Sequence, residues 1–198
     1  MGSEPVVEEY LNLLDSQREA AFAALDGLSD DQIWQRPAPG EWCIGEMLNH
    51  NVLVMASAVP YVRVAWRFLR RRGERRRSRP YQTHIPDLYR DGKFPMWVGF
   101  LWTPRHRPRK PVPLAQLQAE LRDLHTQVRE LYTGKDEAIL GNIYLYDPYF
   151  GWLNLICTLR LGIYHDQLHY DDVVKLAQAL RDQAQPVQEV HRSQDAPL

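Results

Sequence analysis

Between Pro113 and Gly134, the residues Leu114, Leu117, Leu121, Leu124, Val128 and Leu131 recur at spacings of three and four. Only an α-helix turns that period into one continuous apolar face. Such a face must be buried, so other segments of the chain have to cover it. Three stretches are suited to this. From Pro5 to about Leu25, Val6, Val7, Tyr10, Leu11, Leu13, Leu14, Ala21, Phe22 and Leu25 keep helical spacing, with Pro5 fitting a first turn. From about Cys43 to Arg71, Ile44, Met47, Leu48, Asn51, Val54, Met55 and Ala58 share one stripe, with a kink expected at Pro60. A last helix is predicted from about Tyr149 to Arg181, and the fold class is all-α.

The breaks are equally legible. Gly27 ends the first helix, and Ser29-Asp-Asp-Gln32 is a capping-box pattern for a short turn ahead of the loop Pro37-Ala-Pro39-Gly40. Eight arginines against the single acid Glu74 lie between Arg67 and Arg79, and seven prolines then punctuate the stretch from Pro80 to Pro113, which also holds Trp97, Phe100 and Trp102. That stretch predicts a long crossover instead of a tight helix hairpin. The aromatic run Asn142 to Phe150 contains Pro148 and predicts a packed loop.

A hydrophobic fraction of 44% over 198 residues is enough for one core without disulfides. We expect a single domain over residues 1–182 and a mobile, polar tail over 183–198. Lys and Arg number 24 against 25 Asp and Glu, a net charge of -1, so no global attraction to nucleic acid or acidic membranes is expected. Arg63 and Pro60 interrupt the most apolar run, Val52 to Trp66, which argues against a membrane span. Residues 1–10 carry acids and no apolar leader, and the two cysteines, Cys43 and Cys157, have no paired spacing. Both features point to the cytoplasm, with the cysteines as small buried residues.

Chemistry concentrates on histidine. His165 and His169 stand at i and i+4, which stacks two imidazoles on one helix face within reach of one metal ion. They belong to an unusually polar stripe, Asn154, Thr158, Leu161, His165, Leu168, His169, Asp172 and Leu176, within about 100° of arc. The plain alternative is a hydrogen-bonded pair in an ordinary core. His50, on the flank of the second helix's buried face, is the candidate third ligand. His84, His106, His125 and His191 are assigned to the surface, His125 because Asp123 and Thr126 flank it. Glu46 is read as the N3 half of a capping box or as a catalytic base. Asp172 is placed to orient an imidazole or to act as general base, or is simply a solvated acid. Asn154 and Thr158 are expected at the pocket floor, with Tyr146 and Trp102 as its roof.

At this point the chain resembles the DinB superfamily. Glu41-Trp-Cys-Ile-Gly-Glu-Met-Leu-Asn-His50 is similar to the start of that family's second helix, Trp34 to Gly40 to its linker, and His165-x-x-x-His169 to its last-helix pair. Cys43 departs from the family's capping hydroxyl, and Asp172 from a common glutamine. The resemblance implies a four-helix bundle of up-down-down-up course with a long link between helices two and three. It also implies one divalent ion on His50, His165 and His169, with solvent at open positions.

Three neutral imidazoles suit zinc, nickel or ferrous iron, and activation of water or a thiol for hydrolysis or thiol transfer is then available. A small-molecule substrate, for instance a low-molecular-weight thiol, is the expected partner. Homodimers are common among relatives, although no residue here specifies one. The second reading is a non-catalytic, stress-related binding protein that makes its contacts through Arg67–Arg79.

Overall fold

The computed structural model describes residues 6–87, 89–90, 111–147 and 150–184. These residues form a mostly helical protein with one small sheet. In chain order they give α1 (Val6–Ala23), α2 (Asp30–Ile33), α3 (Ile44–Glu74), α4 (Leu114–Tyr132), α5 (Glu137–Leu140), β1 (Tyr144–Asp147), β2 (Gly151–Asn154) and α6 (Leu155–Ala184). The four long helices pack in pairs, α3 on α4, α1 on α6, α3 on α6 and α1 on α4.

Each boundary has a local cause. The Ser29 hydroxyl accepts from the Gln32 amide at 3.3 Å, and Gln32 Oε1 accepts from the Ser29 amide at 2.9 Å, so both halves of the predicted capping box form. At the start of α3, Glu46 Oε2 accepts from the Cys43 amide at 3.0 Å, while its other oxygen meets Arg36. Pro60 lies inside α3, which therefore runs through the position expected to kink it. By length and composition alone α3 also suffices to cross a bilayer once the charge of Arg63 is tolerated.

The aromatic run is not a loop. Tyr144–Asp147 and Gly151–Asn154 pair antiparallel, with Tyr146 opposite Trp152 and Leu145 opposite Leu153. Leu145 and Leu153 face the core, and Tyr144, Tyr146 and Trp152 face water. The returning strand opens on Gly151 at φ +72°, a left-handed conformation that other residues resist. The last helix consequently starts at Leu155 and not near Tyr149, which lies outside the described residues. Asn154 caps it, accepting from the Cys157 amide at 2.9 Å.

Two apolar clusters fill the interior. One joins Tyr10, Leu14, Met55, Val59, Val128, Leu155 and Ile163, and the other joins Phe22, Ile33, Leu48, Val52, Leu121, Tyr170 and Val173. The second surrounds the positions next to His50 and His169. Hydrogen bonds strap the beginning of the crossover over the helix ends. Asn154 Nδ2 donates to the Gln82 carbonyl at 2.7 Å, the Tyr10 hydroxyl to Thr83 at 2.9 Å and the Tyr164 hydroxyl to Ile85 at 3.2 Å. This strap carries Tyr89 to the face where the histidines lie.

Candidate metal centre

His50 sits two turns into α3, and His165 and His169 occupy successive turns of α6. The packing of α3 against α6 brings the three together. Their nearest ring nitrogens all lie within 4.8 Å of one another, and His50 Nε2 is 3.2 Å from His165 Nε2. The ring centroids form a triangle with sides of 5.2, 4.8 and 4.8 Å. His50 and His169 are each only 9% exposed. Burial, and then the proximity of His165 and His50, hold the His169 imidazole well below its ordinary pKa, so it is neutral at pH 7. Crowding three largely buried imidazoles is unfavourable when they are protonated, and the neutral form is the one that donates a lone pair to a cation.

Beneath the cluster lies a carboxylate that the sequence did not single out. Asp166 is 1% exposed, with Oδ1 3.3 Å from His165 Nδ1 and Oδ2 3.2 Å from His125 Nε2. Burial alone would raise its pKa, but the imidazoles of His125 and His165 beside it outweigh that and hold it at about 2. An ionised carboxylate only accepts, so His165 carries its proton on Nδ1 and turns the Nε2 lone pair toward His50 and His169. His125, expected at the surface, is instead 1% exposed and reaches from α4 to that carboxylate on α6.

Aromatic side chains wall the histidines. Trp42 lies 5.0 Å from His50 and stacks on His169 at 6.1 Å with 20° between the planes. Tyr89 meets His165 edge-on at 6.0 Å, and burial keeps its phenol protonated by raising its pKa. Trp42 stands inside the motif already quoted, whereas nothing in the local sequence marks Tyr89.

The remaining expected site residues are placed as follows. Asp172 is 44% exposed in its side chain and bridges to Lys175 at 3.0 Å. Glu46 is engaged by Cys43 and Arg36 at the helix start. Asn154 serves as a cap, and the Thr158 hydroxyl donates to the Asn154 carbonyl at 2.9 Å. These two precede His165 by eleven and seven residues, roughly 16 and 10 Å along a helix axis. Tyr146 packs its ring 5.4 Å from Trp152 on the outer face of the hairpin. Trp102 lies outside the described residues, as do His106, His191 and most of the tail. His84 is exposed. Cys43 and Cys157 are buried, and burial raises both thiol pKa values, so neither is a ready nucleophile.

The family model of the DinB superfamily matches residues 13–173, a span that contains all three histidines, Asp166 and Trp42. No curated protein matches the chain significantly.

Proposed function

Since the chain belongs to the DinB superfamily, we propose that it is a metal-dependent enzyme that activates a thiol or water for thiol transfer or hydrolysis. His50, His165 and His169 would hold one divalent ion, zinc or nickel by preference and ferrous iron as a further fit to the same donor set. The observation that carries this reading is the spacing of the imidazoles. Two bonds of about 2.0–2.1 Å at a near-tetrahedral angle put their nitrogens about 3.3 Å apart, and His50 Nε2 stands 3.2 Å from His165 Nε2.

An ion bound there supplies Lewis acidity, lowering the pKa of a thiol or water toward neutrality. The protein's own residues do the rest. His169 is held neutral by burial, Asp166 fixes the tautomer of His165, and Trp42 and Tyr89 limit water around the reacting atoms. Because both cysteines are buried and their thiols are protonated, the reacting sulfur belongs to a substrate, a low-molecular-weight thiol. A reducing cytoplasm suits that substrate. We place the four long helices in the up-down-down-up order of the family, which sets the two histidine helices side by side.

The test is a thiol-transfer assay with a low-molecular-weight thiol and an electrophilic acceptor, alongside an ester hydrolysis assay. Turnover should vanish on chelation, return with a divalent ion and be absent in His169→Ala. Full turnover after complete chelation refutes the reading.

A further inference from the structure

A cavity of about 270 Å³ opens between the C-terminal end of α3 and the β-hairpin, and Leu69, Arg72, Arg76, Asn142, Tyr144 and Trp152 line it. Arg72 is 22 residues beyond His50 on the same helix, roughly 33 Å along its axis, so this cavity is separate from the histidine cluster. Two observations give it a chemical character.

The first is clustered positive charge. Arg72 and Arg76 stand one turn apart on one side of the helix end, and among the described residues no carboxylate lines the cavity with them. Of the acids on neighbouring segments, Asp136 pairs with Arg77 at 2.8 Å and Glu137 accepts from the Val7 amide, while Glu74 is not among the residues lining the cavity. Arg76 titrates below its ordinary range because Arg72, and after burial Arg79 and Arg75, crowd it with like charge. Cations at a helix C-terminus complement the backbone dipole, but that effect ends within the last turn and does not call for four guanidinium groups beside one another.

The second is exposed aromatic surface. Trp152 is 69% exposed, and Tyr144 lies on the same outward face of the hairpin. The face opposite already seals the core through Leu145 and Leu153. An indole left in water beside clustered guanidinium groups has the features of a recognition surface. The size sets the ligand class. A cavity of about 150 Å³ accepts benzene, so this one has room for a single ring together with an acidic group.

We infer that this cavity binds a small aryl anion, its phosphate or carboxylate on Arg72 and Arg76 and its ring against Trp152. The binding is independent of the metal centre and of the enzymatic reading. A planar guanidinium donates two parallel hydrogen bonds to either acid, and the indole face supplies the apolar contact.

Calorimetric titration of the full chain at low ionic strength with phenyl phosphate, inorganic phosphate and phenol tests it. Phenyl phosphate should bind saturably at one site, and inorganic phosphate and phenol each at least about tenfold more weakly. Arg72→Gln with Arg76→Gln should weaken phenyl phosphate by about tenfold or more, since two charge-assisted contacts are lost. Trp152→Leu should remove the preference for phenyl phosphate over phosphate while sparing phosphate itself. All these positions are at the surface, and an unchanged thermal transition in each variant separates lost binding from lost folding. The proposal is overturned if phenyl phosphate gives no saturable heat, or if it binds the double arginine variant as tightly as the parent. It is equally overturned if a single-stranded oligonucleotide binds this surface and phenyl phosphate fails to displace it.

Discussion

Replacing Asp166 by asparagine is the perturbation that bears most sharply on the candidate centre. The carboxylate is 1% exposed and lies between two imidazoles, 3.3 Å from His165 Nδ1 and 3.2 Å from His125 Nε2. Asparagine keeps the volume and leaves one carbonyl oxygen to accept from His165, but it removes the charge and turns an amide donor toward the other ring. The tautomer of His165 is then no longer enforced. Loss of such a supporting group typically costs about 10–100-fold in metal affinity, or about 1.4–2.7 kcal/mol. We expect the lower part of that range for Asp166→Asn and the upper part for Asp166→Ala, which removes the acceptor as well. Breaking a buried pair also costs stability, about 3–5 kcal/mol when one partner is deleted outright. The two effects are separated by measuring metal affinity in competition with a chromophoric chelator under conditions where urea unfolding shows the variant fully folded. A folded Asp166→Asn protein that binds metal as tightly as the parent would refute the positioning role.

Other outcomes follow from the same geometry. A Cβ on Gly45 would come within 2.6 Å of the Trp34 ring, whereas nothing lies within 4 Å of one on Gly162. Gly45→Ala should therefore lower the free energy of unfolding by about 1–3 kcal/mol, and Gly162→Ala should raise it by about 0.5–1 kcal/mol, read from denaturant midpoints. Stability of the metal-free chain should fall as the pH drops. His169 and Asp166 both have folded-state pKa values below their unfolded ones, so at acid pH the unfolded chain binds more protons. The His169 contribution is complete above about pH 6.5 and declines below it, and that of Asp166 declines between about pH 3.8 and 2, each by at most about 1.4 kcal/mol per pH unit. A flat urea midpoint between pH 7.5 and 5, about a unit or more to either side of the histidine pKa, would contradict the first part. Stripping a bound ion should lower the thermal midpoint of the parent and leave that of His50→Ala unchanged, because only the parent gains binding free energy in the folded state.

Much of this was readable from residue order, and the gaps have identifiable causes. Helix α4 follows from the period of its leucines, and the start of α3 from Glu46 three residues after Cys43. The histidine pair follows from its i, i+4 spacing, and the third histidine from its place beside a buried stripe. His125 was misjudged by its chain neighbours Asp123 and Thr126, although residues one or two apart do not share a helix face. Its neighbours at four before and three after, Leu121 and Val128, are both buried, and they indicate the true side. The hairpin was hidden by Pro148, yet Tyr144, Leu145 and Tyr146 alternate between exposed and buried as a strand demands. Asp166 was not legible because its role depends on His125 reaching it from α4, and no local pattern encodes that contact. Asn154 reads as a cap only once the true start of α6 is known, since a strand, not a helical turn, precedes it.

X-ray absorption at the edge of the bound metal, on full-length protein purified without metal-affinity resin, addresses the central claim most directly. The account predicts one ion per chain with three nitrogen scatterers at about 2.0–2.1 Å, and loss of that signal when His50 or His169 is replaced by alanine. A protein that retains no ion after incubation with zinc or nickel, or an ion surrounded by oxygen alone, would contradict it.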